Sequence, residues 1–99
     1  MNSLREWSDS VPCGWADIFN KLCEDVESRL TDKELDELEI LDVKEKYGSL
    51  RIYHNMDKID DLVNACEKLT AETCINCGKH ATHTSKGWIL PFCDDCPEE

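Results

Sequence analysis

Four of the seven cysteines have the spacing of a metal site. Cys74-x-x-Cys77 is followed, after fifteen residues, by Cys93-x-x-Cys96. Each C-x-x-C pair can form a tight turn that directs two sulfurs at one ion, and two pairs supply the four thiolates of a tetrahedral zinc site. Because four thiolates fill the coordination sphere, we expect one structural zinc ion, with iron as the alternative metal. The pattern predicts a metal cross-link rather than a catalytic metal.

Two disulfides in a small secreted domain are the other explanation of such pairs. The number of cysteines is odd, which a fully oxidised secreted domain avoids. Residues 1–7 have no apolar stretch like that of a signal peptide, and no segment approaches the ~20 apolar residues that span a bilayer. We therefore expect a soluble, cytoplasmic protein with reduced thiols.

The charge of the chain restricts its partners. The 99 residues include 22 acidic and 11 basic side chains, for a net charge of −11. Proteins that hold nucleic acid concentrate Lys and Arg on one face, because neutralising phosphates supplies most of the affinity. The acidic balance disfavours direct nucleic-acid binding and favours a basic protein or a site that normally holds nucleic acid. Acidic surfaces also simply keep small proteins soluble.

Helical periodicity predicts the elements that carry the cysteines. Residues 15–30 place apolar side chains on one stripe, and Thr31 with Glu34 forms the capping box of a short second helix. A third helix, capped by Asn55 or Asp57, leads into the first cysteine pair. Its predicted apolar stripe consists of Ile59, Leu62, Val63, Cys66 and Leu69.

Alternation of apolar and charged residues predicts a hairpin. Strands over residues 39–46 and 50–54 flank a turn at Gly48, with Leu41 and Val43 facing the core. A further strand, residues 87–92, should pack over the metal site. The chain is thus predicted to be α+β, a small helical core with a β-hairpin and a C-terminal four-cysteine zinc ribbon. We divide it into a helix–hairpin–helix core, residues 1–71 with a polar lead-in over 1–13, and a zinc ribbon, residues 72–99, packed on or appended to the core.

The remaining cysteines and histidines do not form a catalytic motif. Cys23 and Cys66 fall on apolar helix faces, where a free thiol behaves as a small hydrophobic side chain, and Cys13 is expected in a loop. The H-x-E motif of a zinc deaminase is absent, and so is the set of metal ligands that a nuclease would need. We expect no enzymatic activity. The three histidines, His54, His80 and His83, are predicted to be non-catalytic.

Several segments together resemble one family of small phage and prophage proteins. They are Gly14-Trp15, the segment VKEKYGSLRIY over residues 43–53, CINCG over 74–78, GWIL over 87–90 and CDDC over 93–96. No catalytic activity is assigned to that family. The resemblance implies a phage or prophage protein that binds and inhibits or redirects a host protein, including nucleic-acid-guided defence complexes.

Our hypothesis is a non-enzymatic zinc protein that binds a host protein or nucleoprotein complex. The alternative is a small nucleic-acid-binding or RNA-polymerase-binding transcription regulator, which would use the basic residues of the hairpin and the ribbon. Exposed aromatic and charged side chains are the candidate contacts. The predicted partner-binding residues are Lys44, Lys46, Tyr47, Arg51, Tyr53, Trp88, Asp57, Asp60 and Asp61.

Overall fold

The computed structural model describes residues 4–85 and 89–96, and its helices follow the predicted stripes. Helix α1 is Ala16–Arg29, α2 is Asp32–Glu37 and α3 is Asp60–Ala71. The capping box is confirmed: Thr31 Oγ1 accepts from the Glu34 N–H at 3.2 Å, and Glu34 Oε1 accepts from the Thr31 N–H at 2.9 Å. None of the helices within the described residues has the length and apolar content that crossing a membrane requires.

Helices α1 and α3 pack antiparallel. At one end, the Trp15 indole Nε1 donates a buried hydrogen bond to the carbonyl of Thr73, just beyond α3, at 2.9 Å. At the other end, Arg29 at the end of α1 pairs with Asp61 at the start of α3 at 2.5 Å. The apolar stripes of the two helices contribute to one buried core.

The hairpin consists of β1, Ile40–Lys46, and β2, Ser49–His54, in antiparallel register. Tyr47 and Gly48 form a two-residue turn, with φ of 54° and 82°. Positive φ at both positions is the signature of a type I′ turn, whose twist matches that of the strands. The structure therefore confirms the α+β class, with helices and a small antiparallel hairpin.

A β-bulge alters the predicted inner face of β1. The register shifts between Ile40 and Asp42, so Leu41 has no cross-strand partner. Ile40 and Val43 are buried, whereas Leu41 is 57% exposed. The prediction that Leu41 faces the core is wrong. The bulge adds one residue to β1, so the buried position before Val43 is Ile40 and not Leu41.

The inner face of the hairpin packs on α3 through a buried polar contact. Thr70 Oγ1 accepts from the Leu50 N–H at 2.9 Å and donates to the Glu67 carbonyl at 2.8 Å. Thr70 is therefore an interior residue, and Leu69, predicted on the buried stripe, is 52% exposed. Of the two adjacent side chains, Thr70 rather than Leu69 is buried, because the Thr70 hydroxyl accepts the hydrogen bond that the Leu50 N–H requires.

The prediction that Asn55 or Asp57 caps the third helix is wrong. Neither α3 nor the 3-10 helix Asp57–Ile59 before it has a side-chain cap. Asn55 instead accepts from the Glu39 N–H at 2.8 Å and so ties the end of β2 to the start of β1.

The lead-in is a 3-10 helix, Leu4–Ser10, packed on the core rather than a simple polar segment. Leu4 is buried, and Arg5 donates to both carboxylate oxygens of Glu27 on α1, at 2.7 and 3.0 Å. These hydrogen bonds lower the pKa of the Glu27 carboxyl.

Candidate metal centre and partner-binding surface

The first cysteine pair lies in a turn that directly follows α3. The Cys74 N–H donates to the Lys79 carbonyl at 2.7 Å, and the Gly78 N–H donates to the Cys74 carbonyl at 3.0 Å. Gly78 has a φ of 86°, a conformation that favours glycine. The turn thereby brings the sulfurs of both cysteines to one side.

The second pair is positioned by a minimal two-stranded sheet. Strand β3, His83–Thr84, pairs with β4, Pro91–Phe92, which leads directly into Cys93. The Ile75 N–H donates to the Pro91 carbonyl at 2.9 Å and joins the two turns. The predicted strand over 87–92 is shorter than expected: residues 87 and 88 lie outside the described residues, 89 and 90 are not strand, and Ile89 is half exposed, whereas Phe92 is buried beside the site.

The four cysteines meet at one point. The sulfurs of Cys74, Cys77, Cys93 and Cys96 all lie within 4.8 Å of one another, and those of Cys77 and Cys93 are 3.4 Å apart. A tetrahedral ion with Zn–S bonds of about 2.3 Å separates its sulfurs by about 3.8 Å. The donor set and its spacing therefore fit the one structural zinc ion that the sequence predicts.

Backbone N–H donors favour the thiolate form of Cys74. Burial opposes ionisation of Cys74, but the backbone N–H groups of Cys77, Cys93 and Asn76 outweigh it and lower the pKa of the Cys74 thiol to about 6. For Cys96, the amide of Asn76 favours the thiolate, but the neighbouring thiols Cys77 and Cys93 raise its pKa to about 12. A zinc ion would stabilise all four thiolates together and displace the remaining protons.

Side chains outside the cluster connect its two halves. Asn76 Nδ2 donates to the Cys96 sulfur at 3.5 Å, and Lys79 pairs with Asp95 across the site at 2.8 Å. Neither His80 nor His83 belongs to the cysteine cluster. Among the described residues, four thiolates fill the coordination sphere of a tetrahedral zinc ion, which is the arrangement of a structural site without an open position for water.

The sequence did not predict the hydrogen bonds that join residues 13 and 14 of the core to the first cysteine turn. We call them the Gly14 contact. The Gly14 N–H donates to the Ile75 carbonyl at 3.0 Å, and Cys13 Sγ donates to the Asn76 carbonyl at 3.3 Å. A Cβ on Gly14 would overlap the backbone of Cys74 and Ile75. The only feature of the sequence that indicates this contact is the glycine before Trp15. The neighbouring residues do not show that the backbone of Cys74 and Ile75 packs against it.

The outer face of the hairpin gathers four of the predicted partner-binding residues. Lys44 Nζ lies 5.5 Å from the centre of the Tyr53 ring, and Lys46 Nζ lies 5.7 Å from that of Tyr47. Tyr47 is 68% and Tyr53 39% exposed. Arg51, opposite Lys44 in the register, pairs with Glu67 on α3 at 3.2 Å. We call Lys44, Lys46, Tyr47 and Tyr53 the hairpin face.

The predicted acidic contacts lie elsewhere, around the start of α3. Asp60 pairs with His54 Nε2 at 3.2 Å, and Asp61 pairs with Arg29. Asp57 is exposed at the start of the preceding 3-10 helix. Two of the three acids thus contact side chains of the same chain, and the structure does not bring them onto the hairpin face. Trp88 lies outside the described residues.

Two of the remaining thiols belong to the core, as predicted. Cys23 and Cys66 are buried on the facing sides of α1 and α3. Burial raises the pKa of the Cys23 thiol to about 11 and that of the Cys66 thiol to about 12. Both are therefore protonated packing groups at neutral pH.

Comparisons of the chain with protein-family models, with curated proteins and with solved structures find no match. The geometry brings the candidate residues discussed so far together at two sites, the four-cysteine cluster and the hairpin face.

Proposed function

We propose that this chain is a non-enzymatic binding protein, stabilised by zinc, which uses the hairpin face to bind and modulate a host protein or nucleoprotein complex. The observation that carries the proposal is the pair of exposed tyrosines, each beside a lysine. Exposed aromatic side chains are typical anchors of protein interfaces, where they bury a large area at little entropic cost.

Two features support a binding role over catalysis. Four cysteine ligands saturate a zinc ion, and so the metal centre serves as a rigid support. Gly48 in the hairpin turn lies against the backbone of Ile89 in the ribbon, within the distance at which an added Cβ would clash. The ribbon thus supports the turn that presents Tyr47, and zinc would act by holding the hairpin face in place.

We further propose that the protein is encoded by a phage or prophage and inhibits or redirects its target in the host. The resemblance of its hairpin and cysteine segments to small phage and prophage proteins supports this setting. The strongly acidic balance of the chain outside the hairpin face, which itself carries Lys44 and Lys46, suits approach to a target that binds nucleic acid, because such a target presents a basic surface. The neighbouring genes provide a direct check of the phage origin.

Quantitative co-purification from nuclease-treated bacterial lysate tests the binding role. We expect the wild-type chain to recover one protein in near-stoichiometric amount. A double variant, Lys46→Ala with Tyr47→Ser, should recover at least tenfold less. The matched control is Lys33→Ala, which removes one exposed lysine from α2. Equal recovery by all three proteins would contradict the hairpin face, and recovery of nucleic acid alone from untreated lysate would contradict a protein target.

A second candidate function is nucleic-acid binding, by a regulator of transcription. The specific observation in its favour is the alternation of lysines and exposed tyrosines, since bases stack on aromatic rings while lysines contact phosphates. Fluorescence anisotropy with single- and double-stranded DNA and RNA, at increasing salt, distinguishes the two functions. Binding that weakens steeply with salt and is lost in the double variant supports this candidate. No binding at low salt eliminates it.

A further inference from the structure

A groove between α1 and α3 lies on neither of the two sites described above. Its cavity volume is about 140 Å³. The apolar residues that line it are Ile18 and Leu22 of α1 with Leu62, Ala65, Cys66 and Leu69 of α3. Leu69 is half exposed, and Ile18 and Leu62 are only partly buried. Leu69, Ile18 and Leu62 therefore remain in contact with water in the free protein, whereas Leu22 and Cys66 form the buried floor of the groove.

The groove has the form of a site for a third helix. Ile18 and Leu22 are one helical turn apart on α1, and Leu62, Cys66 and Leu69 repeat at the same spacing on α3. Two antiparallel helices that expose such adjoining stripes leave a furrow into which the ridge of another helix can pack. The cavity has room for one large aliphatic side chain as the anchor of that helix.

The charges around the groove select the occupant. Lys21 and Asp25 on its wall neutralise each other at 3.0 Å. The exposed residues flanking the lining positions are mostly acidic, with Asp17, Glu24 and Glu72 against Lys68. The whole chain carries a net charge of −11, so a second copy would be repelled and a basic segment attracted.

We propose that this groove binds an amphipathic helix of a partner protein, with aliphatic anchors on one face and Lys or Arg on both flanks. The anchor side chain enters between Ile18 and Leu69, and the basic flanks lie over Asp17, Glu24 and Glu72. The inference rests on the proposed function in that the chain acts as a binding protein. It adds a second contact surface and the chemistry of its partner.

Two synthetic helical peptides test the groove on the full zinc-loaded chain. One has leucines at i, i+3 and i+7 with lysine flanks, and the other has glutamate in place of every flanking lysine. We expect the lysine peptide to bind at least tenfold more tightly in fluorescence anisotropy, and more weakly as salt increases. In methyl NMR spectra, it should shift the resonances of Ile18, Leu62 and Leu69. Equal affinities, or shifts confined to the hairpin face, would overturn the proposal.

Matched variants distinguish peptide binding in the groove from non-specific hydrophobic binding. Leu69→Asn should weaken binding of the lysine peptide at least tenfold, whereas Leu41→Asn, at an equally exposed leucine of β1, should leave it unchanged. Circular dichroism checks that both variants are folded. Dimerisation of the free chain in sedimentation, if abolished by Leu69→Asn, would instead assign the groove to a second copy. The peptide assay does not involve Lys46 or Tyr47, so its failure leaves the hairpin result intact.

Discussion

At the scale of single residues, the seven cysteines occupy different chemical environments. Four are gathered around one point, Cys23 and Cys66 are buried in the core, and Cys13 is exposed beside the first cysteine turn. Thiolate is the reactive form, so reactivity follows both exposure and pKa. The arrangement assigns zinc binding, packing and solvent contact to separate groups of thiols.

Alkylation of the zinc-loaded protein should distinguish these groups. At pH 7.5, we expect iodoacetamide to label Cys13 and to spare Cys23 and Cys66, because burial raises their pKa to about 11 and 12. Peptide mass spectrometry measures the label at each site. Unfolding with chelator should allow all seven cysteines to react. Labelling of Cys66 before Cys13 in the folded protein would contradict the buried assignment.

Gly14 is a second residue with a specific structural role. Gly14→Ala should destabilise the protein by about 2–3 kcal/mol, because the new Cβ meets backbone atoms of Cys74 and Ile75 that cannot rotate away. Urea denaturation measures the change. The control, Ser28→Ala, alters an exposed position of α1 and should change stability by less than about 0.5 kcal/mol. An unchanged midpoint for Gly14→Ala would contradict the close approach of Gly14 to the backbone of Cys74 and Ile75.

At the scale of elements, the hairpin turn holds Tyr47 in a strained backbone conformation and exposes its side chain to solvent. Tyr47 has a positive φ of 54°, which costs an ordinary side chain about 1–2 kcal/mol and asparagine less. Tyr47→Asn should therefore raise the free energy of unfolding by about 0.5–1 kcal/mol in urea titrations and weaken partner binding. A destabilised variant would mean that the contact between the Tyr47 ring and Lys46 outweighs the strain.

The same scale shows what sequence reasoning can reach. The capping box of Thr31 and Glu34 and the cysteine spacing depend on residues close in sequence, and both were predictable. Leu41, Leu69 and Asn55 were placed wrongly because distant partners decide their positions: a bulge against β2, the N–H of Leu50, and the backbone of Glu39. Periodicity identifies an element, but contacts between elements set its rotation and ends.

At the scale of the whole molecule, the core and the ribbon depend unequally on metal. Within the described residues, the main core contains fifteen buried apolar side chains, most of them from the helices, the hairpin and the 3-10 helices. Among the described residues, the buried cluster of the ribbon consists of Cys74, Phe92 and Cys93, with Ile75, Leu90 and Cys96 partly buried against it. Two of these three buried residues, Cys74 and Cys93, belong to the cysteine cluster, so we expect folding of the ribbon to be coupled to zinc binding.

Zinc removal should therefore act in two stages, which hydrogen exchange can follow residue by residue. Chelation, or Cys74→Ser, should abolish amide protection over residues 73–96 and leave α1 protected. The core should lose only about 1–2 kcal/mol, because Trp15 Nε1 loses its ordered partner at Thr73 and Gly14 its partner at Ile75. Cys13→Ser, which removes a thiol outside the cluster, should retain one zinc per chain by elemental analysis. Full protection of residues 73–96 after complete zinc removal would contradict the coupling, whereas loss of protection throughout α1 would show that the ribbon and core fold as one unit.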